Sequence, residues 1–418
     1  MSLQREIITV VKKAKAASRV LAALDTTTRD STLLSMADGL LKKRDSILSA
    51  NSADIKNAEQ EGISSAMIDR LTLNEKRISS MAEGLRGIAS LKDELGTITE
   101  MIKRPNGLWI GKMRVPIGVI AIIYESRPNV TSDCAGLTLK SGNSVILKGG
   151  SIAINSNVAI YNALSDSIRT AGLPEGAINI IKSTDRSAVR FLLRQDRYVD
   201  LVIPRGGEGL IKEVQNKSRI PIIKHYKGVC HVYVDEFANL DMAHKIAINA
   251  KLQRPGVCNA MESLLVHRDV AKRFLPVLLA EMKKEGVEFR GCRRTRRIAG
   301  YVKPVKASDW STEYLDLILS VKVVSSLREA IEHIARYGSM HSDTIVTENY
   351  NNAMEFLTRV DSACVYLNAS TRFTDGGEFG MGAEIGISTD KLHARGPMGL
   401  RELTSYKYVI FGNGQIRT

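Results

Sequence analysis

The feature that most limits how this chain can fold is the apolar run VPIGVIAIIY at residues 115–124. After Pro116 the run contains no charged position, whereas a strand with one face in water alternates apolar and polar residues. The run is too short to span a membrane, and it contains a proline. We therefore predict a strand that is buried on both faces of a parallel sheet, and parallel strands require long crossover connections.

Strand and helix patterns alternate along the chain after this run. Strand-like segments occur at 144–150, 178–182 and 199–207, and a helical pattern lies between the first two at 154–172. A second series begins near HVYVDE at 231–236. Strand, helix and strand at this spacing form right-handed crossover units on a parallel sheet. The sequence therefore predicts two successive α/β domains.

The two ends of the chain show different patterns. Residues 1 to about 95 are predicted to be helical, because their apolar positions recur at helical spacing. The segment before Pro116 alternates like one arm of a hairpin. Residues 404–417 return to strand character, and a terminal strand needs a partner. Either the hairpin arm or a neighbouring subunit can supply that partner.

A formal net charge of +14 suggests a nucleic-acid partner. However, the positive residues are spread along the chain, except for RGCRRTRR at 290–297, and aromatic residues make up only 5%, too few for base stacking. No helix-turn-helix, zinc-finger or RNP pattern is present. We therefore expect a basic surface suited to anionic ligands, with no nucleic acid and no membrane as partner.

The number of cysteines, five in a chain of 418 residues, argues against a disulfide scaffold. The charged N-terminal segment lacks the apolar stretch of a secretory signal, so we expect a cytoplasmic protein. Neither Cys-x-x-Cys nor His-Glu-x-x-His occurs, and we predict no metal site. The Walker A and Gly-x-Gly-x-x-Gly patterns are also missing, which argues against a P-loop ATPase and a plain Rossmann dehydrogenase.

Two of the cysteines are candidates for a nucleophile. Cys292 lies among five arginines, which favour a thiolate. Cys258 follows a Pro-Gly turn in QRPGVCNAMESLLVH (253–267), where small neighbours leave room for a substrate. From these residues alone, Cys258 can equally be an apolar filler. The remaining cysteines are expected to be buried in packing: Cys134, Cys230 and Cys364.

Several blocks resemble one known family. YESRPNV (124–130), NASTRFTDGG (368–377) and HARGPMG (393–399) are similar to motifs of the gamma-glutamyl phosphate reductases, a family within the aldehyde dehydrogenase superfamily. The cysteine block and the strand ending in Lys148 resemble the superfamily more broadly. The resemblance covers nearly the whole chain, with the blocks in the expected order.

The resemblance implies an aldehyde-dehydrogenase-like α/β fold, with two Rossmann-like parallel-sheet domains and a small β-hairpin oligomerisation arm. We expect a cofactor-binding domain at 1–104 and 117–226. A catalytic domain with the nucleophilic cysteine is expected at 227–398. The arm is expected at 105–116 and 399–418. A homodimer or higher homo-oligomer follows from such an arm.

The resemblance also assigns catalytic residues. Cys258 matches the catalytic thiol, and Asn129 matches the asparagine that donates to the developing oxyanion. Oxidative members of the superfamily carry a glutamate that activates water for thioester hydrolysis. The corresponding segment here, IIKHYKGVCHVYVD, has no acidic residue before Asp235. A thioester should therefore survive long enough to be reduced.

Cofactor binding is implied for five residues. Lys148 matches the lysine that binds the adenosine ribose, and Glu313 matches the glutamate that holds the nicotinamide ribose. Ser151 occupies the place where many NAD-using relatives carry a glutamate that repels a 2′-phosphate, so NADPH/NADP is the expected cofactor. Gly206 and Gly207 end a strand of the same domain. A surface salt bridge is the alternative for Lys148 and Glu313.

The implied substrate, L-glutamyl 5-phosphate, carries a phosphate, a carboxylate and an ammonium group. Its candidate ligands lie in the family-specific blocks: Arg127, Asn368, Ser370, Thr371, Arg372, His393 and Arg395. An arginine in such a loop can instead stiffen the loop by binding backbone carbonyls.

The implied reaction is NADPH-dependent reduction of this acyl phosphate to L-glutamate 5-semialdehyde, with release of phosphate, in proline biosynthesis. Another thioester-forming aldehyde dehydrogenase, such as a CoA-acylating enzyme, is the alternative, and a basic nucleic-acid-binding protein is a remote one. The resemblance leaves open whether glutamate 5-kinase, which makes the unstable substrate, docks on the protein.

Overall fold

The structure, a computed structural model, describes residues 2–224 and 227–417. The described residues form two compact units. The first unit contains the chain up to Lys224, the segment Gly380–Gly386 and the chain from Met398 onwards. The second unit contains the chain from there to Phe379, together with Ile387–Pro397.

The helices and strands follow the predicted alternation closely. The helices of the described chain are α1 Leu3–Leu21, α2 Thr26–Lys42, α3 Arg44–Gln60, α4 Ser65–Leu71, α5 Glu75–Ser90, α6 Asn129–Lys140, α7 Ile154–Thr170, α8 Ser187–Leu192, α9 Glu208–Lys217, α10 Leu240–Leu252, α11 Arg268–Lys284, α12 Arg293–Ile298, α13 Leu327–Tyr337 and α14 Tyr350–Arg359. Its strands are β1 Ile98–Lys103, β2 Trp109–Pro116, β3 Val119–Tyr124, β4 Ser144–Lys148, β5 Ile178–Ile180, β6 Leu201–Arg205, β7 Cys230–Val234, β8 Met261–His267, β9 Glu288–Gly291, β10 Lys303–Pro304, β11 Ile318–Val324, β12 Ser342–Val346, β13 Cys364–Leu367, β14 Ile387–Ser388, β15 Gly396–Pro397 and β16 Thr404–Phe411.

The first unit is built on a parallel sheet with the strand order β5-β4-β3-β6. Every residue of β3 is buried, which confirms the strand predicted from the apolar run. The chain runs from β3 to β4 and β5 on one side and then places β6 on the other side of β3. The crevice beyond the carboxyl ends of β3 and β6 is therefore a topological switch point, where open α/β sheets bind their ligands.

The second unit has a larger sheet with the strand order β10-β9-β11-β8-β7-β12-β13. All of its neighbouring strands pair in parallel. Strand β8 lies near the middle and is buried at every residue. The long helix α11 packs its apolar stripe, which includes Phe274, Leu278 and Met282, into the core of this unit. The core thus holds rigidly the strand that follows Cys258.

An antiparallel sheet of the first unit joins β1, β2 and β16. Strand β16 pairs with β2 from Thr404 opposite Pro116 to Phe411 opposite Trp109, so the terminal strand finds its partner within the chain. Strand β1 is exposed along its whole length. The predicted fold class, two parallel-sheet units with a small hairpin arm, is confirmed. None of the helices in the described chain combines the length and apolar character that crossing a bilayer requires.

Candidate active site

Cys258 lies in the turn that connects the end of α10 to the start of β8. Its side chain is partly exposed, and the Val257 carbonyl, which accepts the Ala260 N–H at 3.1 Å, closes the turn. The thiol of Cys230 donates to the Cys258 carbonyl at 3.1 Å. The turn therefore carries one partly exposed cysteine, while a second, buried thiol holds its backbone.

Gly228 packs directly on the backbone of Cys258. A Cβ atom at position 228 would lie 1.8 Å from the Cys258 carbonyl oxygen and 2.5 Å from its Cα. Backbone atoms cannot rotate away as a side chain can, so only glycine fits here. The segment before β7 thus supports the Cys258 turn by direct contact.

The Glu313 carboxylate contacts Gly228 as well. Its Oε1 atom accepts the Gly228 N–H at 2.9 Å, and the residue lies in the loop that precedes β11. Glu313 is therefore joined to Cys258 through a single glycine.

The loop from Ser370 to Thr374 is tied to the Cys258 turn by Asn259. The Asn259 amide donates to the Thr374 carbonyl at 2.8 Å and to the Arg372 carbonyl at 3.3 Å. In return, the Thr371 hydroxyl donates to the Asn259 carbonyl at 2.7 Å. Ser370 accepts the Arg372 N–H and so begins the single helical turn of this loop. Three of the predicted substrate residues therefore lie beside the nucleophile candidate.

Arg372 has an electrostatic environment shaped by the Cys258 turn. Its Nε atom donates to Gln253 Oε1 at 2.8 Å. Burial and the positive charge of Arg254 lower the pKa of Arg372, whereas the negative charge of a Cys258 thiolate raises this pKa. The charges of Arg254, Cys258 and Asp375 therefore all act on the Arg372 guanidinium, which is the planar group that best binds a phosphate.

The remaining predicted substrate residues of the second unit have other contacts. The Asn368 side chain exchanges two hydrogen bonds of 2.9 Å with the backbone of Thr347. Arg395 donates to the carboxylate and to the carbonyl of Asp361, both at 2.8 Å, which is the loop-stiffening role left open by the sequence. His393 is exposed and has a φ of +70°.

Asn129 and Arg127 lie in the first unit, just after β3. Both are exposed, and Asn129 begins α6. The Asn129 amide donates to the Asp133 carboxylate at 2.9 Å. Burial raises the pKa of Asp133 to about 6, although the hydrogen bond from Asn129 opposes this shift. The predicted oxyanion donor is therefore held in place by a carboxyl group one helical turn away.

Four of the five residues predicted to bind the cofactor follow strands β4 and β6 of the same sheet, and the fifth, Glu313, lies in the second unit. Lys148 ends β4 as a buried residue, and its Nζ donates to the Gly149 carbonyl at 2.7 Å. Burial lowers the pKa of Lys148. Ser151 is exposed at the turn that leads into α7. An ammonium has three N–H donors, so Lys148 can also donate to a ribose hydroxyl.

Gly206 and Gly207 lie after β6, at the switch point of the sheet. A Cβ atom at Gly206 would lie 2.6 Å from the Glu125 carboxyl carbon, and the Gly207 N–H donates to Glu125 Oε2 at 3.1 Å. Gly207 is also the N-cap of α9. The buried lysine, the neutral Ser151 and the two glycines thus lie at the carboxyl ends of β4 and β6, and only Gly206 is closely packed.

The sequence and fold of this chain match those of known enzymes. The model of the aldehyde dehydrogenase family matches residues 2–290. Gamma-glutamyl phosphate reductase from Caldanaerobacter subterraneus subsp. tengcongensis is 60% identical over 412 residues, which cover 99% of this chain and 100% of the relative. The enzyme of the same name from Moorella thermoacetica is 57% identical over 417 residues, covering 100% of both chains.

A solved structure agrees with these relatives. The crystal structure of gamma-glutamyl phosphate reductase from Thermotoga maritima superimposes with a TM-score of 0.97 at 49% identity, covering 99% of this chain and 100% of that one. The chain belongs to the gamma-glutamyl phosphate reductase family. It is an oxidoreductase of the aldehyde dehydrogenase family, whose members use a nicotinamide cofactor.

The other cysteines of this reductase have packing roles. Cys134, Cys230 and Cys364 are buried, as predicted. Cys292, the rival nucleophile, packs against the core of the second unit, and its Sγ accepts the Val323 N–H at 3.4 Å. Four of the five neighbouring arginines are exposed, and the fifth, Arg290, is partly buried and pairs with Glu288 and Asp309. The basic run beside Cys292 is therefore largely a solvated surface.

Sequence reasoning missed several residues of this candidate site. No motif marks Gly228, and Arg254 was not selected although it lies in the cysteine block, four positions before Cys258. Lys251 and Glu262 flank the Cys258 turn and form a buried ion pair of 2.8 Å. Lys251 ends a helical pattern, and Glu262 interrupts an apolar strand pattern. A charged residue at such a position is rarely buried without a partner, so this signal could have revealed the pair.

Proposed function

We propose that this protein reduces L-glutamyl 5-phosphate to L-glutamate 5-semialdehyde through a thioester on Cys258, with NADPH as the hydride donor. The observation that carries the proposal is the Cys258 turn. It presents a partly exposed thiol, is held by Gly228 and Cys230, and lies beside Arg372. A nucleophile needs a shaped and rigid site of this kind.

In the first step, the Cys258 thiolate attacks the acyl carbon, a carbon–sulfur bond forms, and the bond to the phosphate oxygen breaks. Phosphate leaves as an anion and needs no strong general acid. Arg372, oriented by Gln253, and Arg254 stabilise its charge. Asn129 and the Cys258 backbone N–H are the proposed donors to the oxyanion that develops on the acyl oxygen.

NADPH, when bound, supplies the hydride that reduces the thioester. Lys148 is proposed to bind the adenosine ribose and Glu313 the nicotinamide ribose. The neutral, exposed Ser151 places no negative charge against a 2′-phosphate, which supports NADPH over NADH. Breaking of the carbon–sulfur bond in the resulting hemithioacetal then frees the Cys258 thiolate and releases the semialdehyde.

The site is poorly suited to hydrolysis of the thioester. His225 and Tyr226 of the segment at 222–235 lie outside the described residues, and neither of them is an acid. Asp235 is buried, and its carboxylate accepts hydrogen bonds from Tyr233, Thr347 and Asn352 at 2.7–2.9 Å. This carboxylate is therefore committed to structure and does not activate water.

Two further proposals concern partners. The exposed β1 and β16 edges of the antiparallel sheet support a homodimer or larger homo-oligomer, which sedimentation of the purified protein tests. The instability of an acyl phosphate supports direct delivery by glutamate 5-kinase, which co-sedimentation with that kinase tests.

The reverse reaction tests the proposed function. Pyrroline-5-carboxylate is in equilibrium with the semialdehyde, so adding it with NADP⁺ and inorganic phosphate should produce NADPH absorbance. Cys258→Ser should abolish this signal, because a hydroxyl is a much weaker nucleophile than a thiolate. The matched control, Cys292→Ser, should keep the signal. Turnover by Cys258→Ser would refute the thioester route, and replacement of phosphate by CoA with full activity would favour the CoA-acylating alternative.

A further inference from the structure

A buried ion pair lies at the base of the Cys258 turn, and the proposed reaction does not use it. Lys251 is in the last turn of α10, Glu262 is the second residue of β8, and neither side chain is exposed to solvent. Their charged groups are 2.8 Å apart. Removing two charges from water is unfavourable, and an apolar pair of similar size is often at least as stable. Stability therefore does not explain why this site holds a lysine and a glutamate.

The second carboxylate oxygen of Glu262 holds a different loop. Its Oε1 atom accepts the Leu315 N–H at 3.0 Å. Leu315 has a φ of +55°, a left-handed conformation that a leucine rarely adopts. Such a conformation persists only where the surroundings hold it, and the buried carboxylate supplies that constraint. Glu313 is two residues earlier in the same loop, so Glu262 fixes the segment that carries Glu313.

The Glu313 loop is in turn connected to Cys258, the proposed nucleophile. Glu313 accepts the Gly228 N–H, and Gly228 packs on the Cys258 backbone. The ion pair therefore supports the two ends of the Cys258 turn through Lys251 and Glu262, and it supports the Glu313 loop through Leu315. All of these residues belong to the second unit, whose core surrounds β8.

We propose that Lys251 and Glu262 are positioning residues that set the place of the Cys258 sulfur relative to the Glu313 carboxylate. The inference rests on the proposed function, in which Cys258 carries the acyl group and Glu313 binds the nicotinamide ribose. One rigid support for both residues fixes the distance that the hydride has to cross. A pair of apolar residues would fill the space but would not hold the Leu315 N–H.

The electrostatics of the pair decide how it is tested. Burial raises the pKa of Glu262 and lowers that of Lys251, and in each case the charge of the partner opposes the shift. Removing one partner alone therefore leaves a buried charge and destabilises the fold whatever the role of the pair. Both residues have to be replaced together.

Two double variants separate positioning from packing. Lys251→Met with Glu262→Met keeps the bulk and removes both polar functions. We expect a folded protein whose kcat in the reverse reaction falls on the order of 10²-fold, as a displacement of about 1 Å produces. Loss of the hydrogen bond to Leu315 should raise its KM for NADP⁺ by about tenfold. Lys251→Met with Glu262→Gln retains an acceptor for the Leu315 N–H, and it should restore this KM but not kcat.

An ion pair of the first unit, between the buried Lys140 and the partly exposed Asp30, provides the control. Lys140 is 1% exposed and donates to Asp30 at 2.5 Å. Lys140→Met with Asp30→Asn should change the melting temperature and leave kcat and the KM for NADP⁺ unchanged. Equal losses of activity in this control and in the Met–Met variant would show that only stability was lost, and they would overturn the proposal. So would a folded Met–Met variant with wild-type kcat and KM.

Two outcomes keep the test decisive. If the Met–Met variant does not fold, Lys251→Arg retains the charge and changes the geometry: a lower kcat at an unchanged melting temperature supports positioning, and an unchanged kcat refutes it. Cys258→Ser separates the two proposals. Turnover by that variant removes the proposed function itself, whereas an inactive Cys258→Ser together with a fully active Met–Met variant removes only the positioning role.

Discussion

Adding a single methyl group at Gly228 tests whether the Cys258 turn has to stay where the structure places it. In Gly228→Ala the new Cβ atom would begin 1.8 Å from the Cys258 carbonyl oxygen, and real Cβ atoms essentially never come closer than 3.0 Å to another heavy atom. The two backbones therefore have to separate by at least 1.2 Å. Any shift of the Gly228 backbone also disturbs the hydrogen bond that its N–H donates to Glu313.

The expected losses of activity and of stability in Gly228→Ala follow from that displacement. A shift of about 1 Å at a catalytic group lowers the rate on the order of 10²-fold. Overpacking of this kind lowers the free energy of unfolding by about 1–3 kcal/mol, which a protein of ordinary stability tolerates. We therefore expect a folded Gly228→Ala protein whose kcat in the reverse reaction is reduced by roughly two orders of magnitude.

The assay compares this variant with Gly300→Ala, where an added Cβ atom meets no other atom within 4 Å. Urea unfolding measures the stability of both proteins. The folded proteins are then assayed for NADP⁺ reduction and for alkylation of Cys258 by iodoacetamide. Gly300→Ala should behave like the wild type in every measurement. If Gly228→Ala keeps wild-type kcat and wild-type alkylation, the contact between Gly228 and Cys258 does not position the nucleophile.

Three other changes test separate parts of the site. Ser151→Glu should raise the KM for NADPH far more than the KM for NADH, because a carboxylate repels the 2′-phosphate; equal effects in steady-state kinetics would remove the cofactor argument. Arg372→Lys should raise the KM for phosphate in the reverse reaction by about tenfold without changing that for NADP⁺, since lysine lacks the planar fork. A change confined to NADP⁺ would contradict the proposed phosphate contact. Because burial raises the pKa of Asp133 from 3.8 to about 6, the folded state binds the extra proton and the wild type loses stability as pH rises through that window. Asp133→Asn should gain up to about 3 kcal/mol over the wild type above pH 6 and nothing near pH 4, measured by urea unfolding; a gain independent of pH would contradict the burial effect.

The secondary structure could be predicted from the sequence because its signals are local. The apolar run that became β3, the helix found at Ile154–Thr170 and the hairpin strand that ends at Pro116 each depend on residues that are close together in the chain. The family could also be recognised from the sequence, because the blocks at 124–130, 368–377 and 393–399 that resemble its motifs are contiguous. The choice of nucleophile was different: from the residues alone the arginines around Cys292 made it a rival of Cys258, and the resemblance to the family favoured Cys258. The fold adds that Cys292 packs against a core.

What the sequence by itself determined was therefore the fold class, the family and the chemical types of the residues in the site. Only the tertiary structure decided which residues hold the Cys258 turn. Gly228 lies thirty positions before Cys258, and Leu315 lies fifty-three positions after Glu262, yet each pair is in contact. Contacts of this kind depend on how β7, β8 and the loop before β11 pack in one sheet, and no local pattern of residues records that arrangement.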